Sequence, residues 1–343
     1  MGIACVAGLA ATGFFDASAS SSAGPLPATT PAALIAAVQQ PTVEGFSGTV
    51  VSHLSLGLPD LPQVAGSDST SFTSLLSGAH TLQVWYGGTT RQRVALLGST
   101  EETDVFRDGR QLWHWSSADR NAVHAVLPAG SGAGAGPMGA ATDMTPLALA
   151  RAFLGALQPT TQVSIDRKHE VADRSAYDLV LTPRDPGTKI GQVRIAVDGR
   201  TKVPLGVQVL ARGARSASVD VSFTKIVFGR QSDHSFRFTP PGDAHVEQVK
   251  APPENPGGRT HPAPRVSTTG RGWSRVLDLR PGVKTIATLR RGPLLSSLQP
   301  VSGSWGHGYL LDSDLLSALV TSDGRVLVGA VPPSALYAAA GQK

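Results

Sequence analysis

Apolar and polar residues alternate with a period of two over most of this chain, and that alternation predicts strands. The first run is Phe46 to Leu54 (FSGTVVSHL), followed by Gly57, Pro59 and Pro62, which break it. His80 to Tyr86 and Thr90 to Leu97 flank Gly87-Gly88, a hairpin signal. Glu102 to Phe106 and Gln111 to Trp115 flank Asp108-Gly109, a second hairpin signal, and Asn121 to Leu127 follows. The pattern predicts a meander of consecutive antiparallel strands. A second series comprises Val163 to Asp166, Ser175 to Thr182, Gln192 to Asp198, Gly206 to Ala211 and Ser216 to Phe228. The period becomes helical at two places. Thr30-Pro31 opens Ala32 to Gln40, with Leu34, Ile35 and Val38 on one stripe. Thr145 caps and Pro146 begins a second helix, in which Leu147, Ala150, Arg151, Leu154 and Leu157 keep helical spacing up to Pro159. Two β series around one helix, without βαβ alternation, predict an α+β fold with a large antiparallel sheet.

Composition divides the chain. Its 343 residues include 38 Gly and 25 Pro, which calls for many turns and a linker. Ile3 to Phe15 is apolar and as long as a signal-peptide core, and Ala17-Ser18-Ala19 supplies a small-x-small cleavage site. The expected plan is a signal peptide at 1–19, a disordered leader at 20–30, a main domain at 31–247, a Pro-rich linker at 248–271 and a small C-terminal domain at 272–343. This places the mature protein outside the cytoplasm. Only Met1 and Gly2 precede the apolar run, so the start is atypical. Gly2-Ile3-Ala4-Cys5 is a faint lipobox, and a lipid anchor is the weaker alternative. The run from Ala129 to Gly139 is low-complexity. In the C-terminal part, Asp314 to Val320 has a helix-like pattern, with Asp312-Ser313-Asp314 as its polar cap. Asp323-Gly324 signals a hairpin joining Ala318-Leu319-Val320 to Val326-Leu327-Val328.

Charge and chemistry mainly exclude. The formal net charge is +5, but the arginines that create it are scattered and no basic run interleaves with aromatics, so no nucleic-acid partner is expected. One cysteine permits neither an intramolecular disulfide nor a Cys-based zinc site. There is no G-x-S-x-G elbow, H-E-x-x-H or P-loop, and the glycines at 130–136 miss dinucleotide spacing. The histidines are isolated: His114 lies between Trp113 and Trp115, and His245 lies two residues before Glu247. No metal, no cofactor and no enzymatic activity are expected. His114 is expected to face solvent, opposite its Trp neighbours. Trp113 and Trp115 share one face of their strand, as Val84 and Tyr86 share a face of theirs. Such residues fit an ordinary sheet core, or one sheet face lining an open apolar cavity. On the second reading, Val50, Val84, Tyr86, Trp113, Trp115, Leu147, Leu154 and Leu157 are the candidate lining.

Several segments, taken in order over roughly residues 31 to 249, resemble the periplasmic lipoprotein-carrier (LolA-like) family and the N-terminal domain of the RseB/MucB envelope-stress regulators. Phe46-Ser47-Gly48-Thr49-Val50 is similar to the family's first strand. Asp108-Gly109-Arg110-Gln111-Leu112-Trp113 resembles its S-D-G-K-x-L-W hairpin. Thr145-Pro146-Leu147 starts a helix where the family has one, and Leu181-Thr182-Pro183 resembles its strand-ending L-T-P. Phe236-Arg237-Phe238-Thr239-Pro240-Pro241-Gly242 resembles its closing F-x-F-T-P-P-x-G. The resemblance implies an unclosed, curved antiparallel β half-barrel, with helices covering a cavity that holds acyl chains or a lipoprotein segment. One departure stands out. Carriers place a latching arginine soon after the Trp of the second strand, whereas this chain has Gly87-Gly88 after Trp85-Tyr86, with Arg91 and Arg93 further on. The regulators carry a second, smaller domain, as this chain does. That likeness implies the alternative role of an envelope-stress regulator binding a membrane anti-sigma factor through the C-terminal domain. A membrane-bound transport protein is the partner a carrier would imply.

Overall fold

The computed structural model describes residues 26–40, 43–57, 78–128, 144–155, 157, 159–249, 265–280 and 298–342. The expected signal peptide, the 129–139 run and most of the expected Pro-rich linker lie outside the described residues.

The first β series forms β1 (Phe46–Leu54), β2 (Gly78–Tyr86), β3 (Arg91–Leu97), β4 (Glu102–Asp108), β5 (Gln111–Ser116) and β6 (Asn121–Val126). The second forms β7 (Thr161–Val171), β8 (Arg174–Pro183), β9 (Ile190–Asp198), β10 (Pro204–Ala211) and β11 (Ala217–Phe228). Each series is a meander, and antiparallel pairing of β1 with β11 joins the two. β12 (His245–Val249), which the alternation did not predict, adds a parallel edge strand beside β6. The resulting twelve-stranded sheet runs β12-β6-β5-β4-β3-β2-β1-β11-β10-β9-β8-β7, curved and unclosed. In the β4–β5 hairpin Asp108 still pairs with Gln111, so the turn residues are Gly109 and Arg110, one position later than the sequence pattern suggests. Gly109 has φ +62°, which a side-chain-bearing residue rarely adopts.

Two short helices lie over the curve. α1 (Pro31–Gln39) begins where the Thr30 hydroxyl accepts the Ala33 N–H at 3.2 Å. α2 (Pro146–Gly155) begins where Thr145 accepts the Ala148 N–H at 3.3 Å. These contacts satisfy N–H groups that the first helical turn leaves without partners. The stretch assigned to a disordered leader is fixed at its end. The Tyr177 hydroxyl donates to Pro27 O at 2.8 Å, and Leu26 packs against the main core.

A second, smaller sheet begins before residue 272. β13 (Arg265–Thr269) falls within the expected linker and pairs with β14 (Val276–Arg280). With β15 (Gln299–Gly303), β16 (Gly306–Asp312), β17 (Ser317–Thr321) and β18 (Val326–Gly329) they form a second sheet, ordered β13-β14-β18-β17-β16-β15. The expected helix at 314–320 is instead a bend that leads into strand β17 at Ser317. Leu315, Ser317, Leu319 and Thr321 are buried in alternation, a period of two, and Ser313 ends a turn by accepting the Leu316 N–H at 3.2 Å. Asp312-Ser313-Asp314 therefore caps no helix. The helix of this domain is α3 (Pro333–Gly341), whose Leu336, Ala339 and Ala340 cover Leu310, Leu319 and Leu327 of the sheet. Arg325, buried and paired with Asp278 at 2.8 Å, also donates to Ala340 O at 2.8 Å, a favourable place for a cation at a helix C-terminus.

Candidate functional site

Residues directly opposite in adjacent strands share a face, so the register sorts the large sheet's side chains. Val50 opposes Leu82, Val84 opposes Val94, and Phe46 opposes Tyr86. On the other side of β1, Val50 opposes Phe223, while Val207 opposes both Val221 and Ile195, which opposes Leu179. All of these side chains point to the concave side. Val50, Leu82, Leu179, Ile195 and Val207 are wholly inaccessible to solvent. Gly48 makes room for this packing, since a Cβ there would lie 2.9 Å from the Phe223 ring. Phe46 stacks on Tyr86 with centroids 5.0 Å apart and meets Phe223 edge-on at 5.8 Å. Leu34 and Val38 of α1 and Leu147, Ala150 and Leu154 of α2 complete the same cluster, with Leu157 packed at its margin. Of the eight candidate lining residues, Val50, Val84, Tyr86, Leu147, Leu154 and Leu157 therefore come together under the two helices.

Trp113 and Trp115 do not join them. Phe106 opposes Trp113, Asp104 opposes Trp115, and Arg93 opposes Phe106, all on the convex side. There Phe238, from the closing segment, lies over Phe106 at 4.9 Å, Trp113 at 5.5 Å and Trp115 at 5.7 Å. Sequence alternation showed that the two Trp share a face but carried no signal for which face; only the cover from 236–242 decides it. His114, between them, lies on the concave side beside Val105 and Val123 rather than facing solvent. Burial depresses its pKa, against a smaller upward pull from Asp119.

The departure at Gly87 has a steric reason. A Cβ there would stand 2.8 Å from the Phe236 ring, so the closing segment occupies the space of a side chain. Arg91 pairs with Asp233 at 2.7 Å, and Arg93 pairs with Asp104 at 2.8 Å between the rings of Trp85 and Phe106. Both arginines lie on the convex side, away from α1 and α2, and neither takes a latching place.

Burial and ion pairing compete at the sheet's carboxylates. Burial pushes Asp104 up, and Arg93 only partly offsets it. Burial also pushes Asp198 up, but its pairing with Arg174 and donors from Thr201 outweigh burial and hold it below the usual carboxylate range. Among the described residues no group of three His, Cys, Asp or Glu could hold a metal ion, and no helix is long and apolar enough to cross a membrane.

The two sheets meet at a polar seam. Lys189 N–H and the Thr188 hydroxyl both donate to Ala330 O at 2.8 Å, Asp314 N–H donates to Leu56 O at 2.8 Å, and Lys189 pairs with Asp312. Trp273 crosses the seam. Its ring belongs to the large core, stacks on Phe153 of α2 at 6.0 Å and donates Nε1–H to the Thr161 hydroxyl at 2.7 Å.

No family model matches this chain, and no curated protein matches it. Among solved structures it is similar to MucB in complex with MucA(peri), at 17% identity and a TM-score of 0.46, over 90% of this chain and 96% of that one. The MucA/MucB complex of Pseudomonas aeruginosa gives 16% and 0.45, over 90% and 94%. A LolA superfamily protein, NE2245 from Nitrosomonas europaea, gives 13% and 0.25, over 62% and 99%. In fold the chain is similar to these proteins, at low sequence identity. Likenesses of this strength say nothing about function.

Proposed function

We infer that this protein binds a lipid or lipoprotein acyl chain between the concave face of the large sheet and the helices α1 and α2. One observation carries the reading: a continuous aliphatic surface crosses β1–β3 and β7–β11, and among the described residues the helices that cover it are two short ones of 9 and 10 residues. Burying each methylene of a chain there is worth roughly 0.8 kcal/mol, which compensates for displacing the helix stripes. The closed packing of Val50 and Leu82 means that a ligand enters as α1 and α2 lift. Such binding needs no reacting group. The ordered sequence motifs support the same reading and, with it, an extracytoplasmic location in a bacterial cell. Native mass spectrometry of protein purified from a bacterial envelope tests the reading. Co-purifying acyl species, displaced by a fluorescent fatty-acid probe, are expected. Absence of any bound lipid together with no binding of the probe overturns it.

A second reading, a regulator that engages a membrane-bound protein through its C-terminal domain, is favoured by the small sheet. α3 covers one of its faces, while Val266, Leu277 and Tyr309, on strands β13, β14 and β16, are exposed. If this reading holds, replacing these three with Ser abolishes partner capture and leaves acyl binding intact.

A further inference from the structure

One row of side chains crosses the concave face from strand to strand. Leu179 on β8 opposes Ile195 on β9, Ile195 opposes Val207 on β10, Val207 opposes Val221 on β11, and Val221 opposes Ser52 on β1. All of them are wholly inaccessible to solvent. The first four are aliphatic, and the last carries a hydroxyl. The Ser52 Oγ has no hydrogen-bond partner among the described residues. Its neighbours on the same face of β1 are Val50 and Leu54, whose side chains offer neither donor nor acceptor. A hydroxyl buried in this way gives up its bonds to water and gains none in exchange, so an alanine would suit a sealed core better. Native proteins hold few such atoms, and each calls for a reason.

The place of Ser52 in the row supplies that reason. Neighbouring strands lie about 4.8 Å apart, so Leu179 to Val221 offers roughly 14 Å of unbroken aliphatic surface, with Ser52 one strand further on. Beyond Ser52 the row reaches the half-buried His80 on β2. The row is thus apolar at one end and polar at the other. A hydrocarbon chain and the carbonyl that links it to the rest of a lipid follow the same order. We propose that the Ser52 hydroxyl donates to the carbonyl oxygen of an acyl linkage whose chain lies along Leu179, Ile195, Val207 and Val221. This inference deepens the acyl-binding reading and rests on it. It adds a directional contact to a surface that otherwise measures only apolar area. The hydroxyl is orphaned while the site is empty and satisfied when a linkage arrives, so a chain with a carbonyl binds more tightly than the same chain without one.

Monolauroylglycerol and dodecylglycerol form the probe pair. They share the same glycerol and the same chain length, joined by an ester in the first and by an ether in the second. Titration calorimetry on the wild-type protein should give roughly tenfold tighter binding of the ester, the effect of satisfying one buried hydroxyl. Ser52→Ala should erase that preference. A second measurement separates a binding role from a packing one. In thermal melts of the ligand-free protein, Ser52→Ala should be as stable as the wild type or more so, because it removes an orphaned hydroxyl. A lower melting temperature would mean that the hydroxyl already has a partner, a buried water included, and overturns the assignment. Equal binding of the two probes by the wild type, or an ester preference that survives in Ser52→Ala, overturns it as well and leaves the acyl reading standing. If neither probe binds, the acyl reading fails and the role of Ser52 falls with it.

Discussion

The sheet's two wings differ in where their rings lie, although both bury aliphatic side chains on the concave face. From β1 to β3 and β7 to β11, apolar side chains collect on the concave side beneath α1 and α2. At β4 to β6, Phe106, Trp113 and Trp115 collect on the convex side beneath Phe238. The strands of both wings have the same alternating texture. What differs is the cover: helices on one side, a closing segment with its own Phe on the other. A strand's pattern determines which residues share a face, but the segment that docks on the sheet determines which face becomes core.

The largest test of this difference removes one ring from each wing. Phe223 is almost wholly buried among fixed neighbours, so Phe223→Ala should cost about 3–5 kcal/mol. Phe238 is half-buried, and Phe238→Ala should cost only about 1–2 kcal/mol. Urea denaturation measures both. Equal losses would mean that the convex cluster is as much a core as the concave one.

Two buried carboxylates sharpen the same contrast through pH. Asp198 has a folded pKa below its unfolded value. Its contribution is present above the ordinary carboxylate range, near pH 3.9, and is lost as pH falls through the folded pKa. Asp104, in the convex cluster, has a folded pKa above its unfolded value. Its folded state prefers the protonated form, and its contribution declines as pH climbs through the folded pKa. Asp198→Asn should cost about 3 kcal/mol at neutral pH, because it strips Arg174 and Thr201 of their partner. The stability difference between wild type and Asp198→Asn should grow with rising pH, and that between wild type and Asp104→Asn should shrink. Thermal melts across the acid range read both slopes, and slopes of the same sign would refute the assignment of Asp104 to a desolvated convex site.

Much of the fold was legible because it rests on local signals. Thr30-Pro31 and Thr145-Pro146 start helices through hydroxyl caps, and the glycines at 87, 88 and 109 sit at turns between strands. Six candidate lining residues meet because the β1 alternation and the α2 stripe both face the same interior. What was not legible depended on distant chain. The side of Trp113 and Trp115 is decided by Phe238, more than a hundred residues later. β12 forms only because β6 offers it an edge. Residues 314–320 carry apolar positions compatible with either period, and pairing with β16 and β18 selects the strand. The seam joins Lys189 and Thr188 to Ala330 and Leu56 to Asp314, and no spacing in the sequence announces it.

The smallest effect tests whether the concave cover moves independently of the sheet. Thr145→Ala removes the acceptor for the Ala148 N–H at the start of α2, at a cost of about 1 kcal/mol. If α2 opens as a unit above a stable sheet, amide exchange at Leu149 to Leu154 should quicken about fivefold, the factor that 1 kcal/mol implies. Exchange at Leu112 and Ala125, in the β5–β6 wing, should not change. Thr30→Ala at α1 should do the same for Leu34 and Val38. A uniform quickening over both wings would mean that cover and sheet unfold together, and a chain could then reach the concave face only by unfolding the protein. Local quickening means that the helices lift while the sheet holds, and that motion is the one an acyl-binding site beneath them requires.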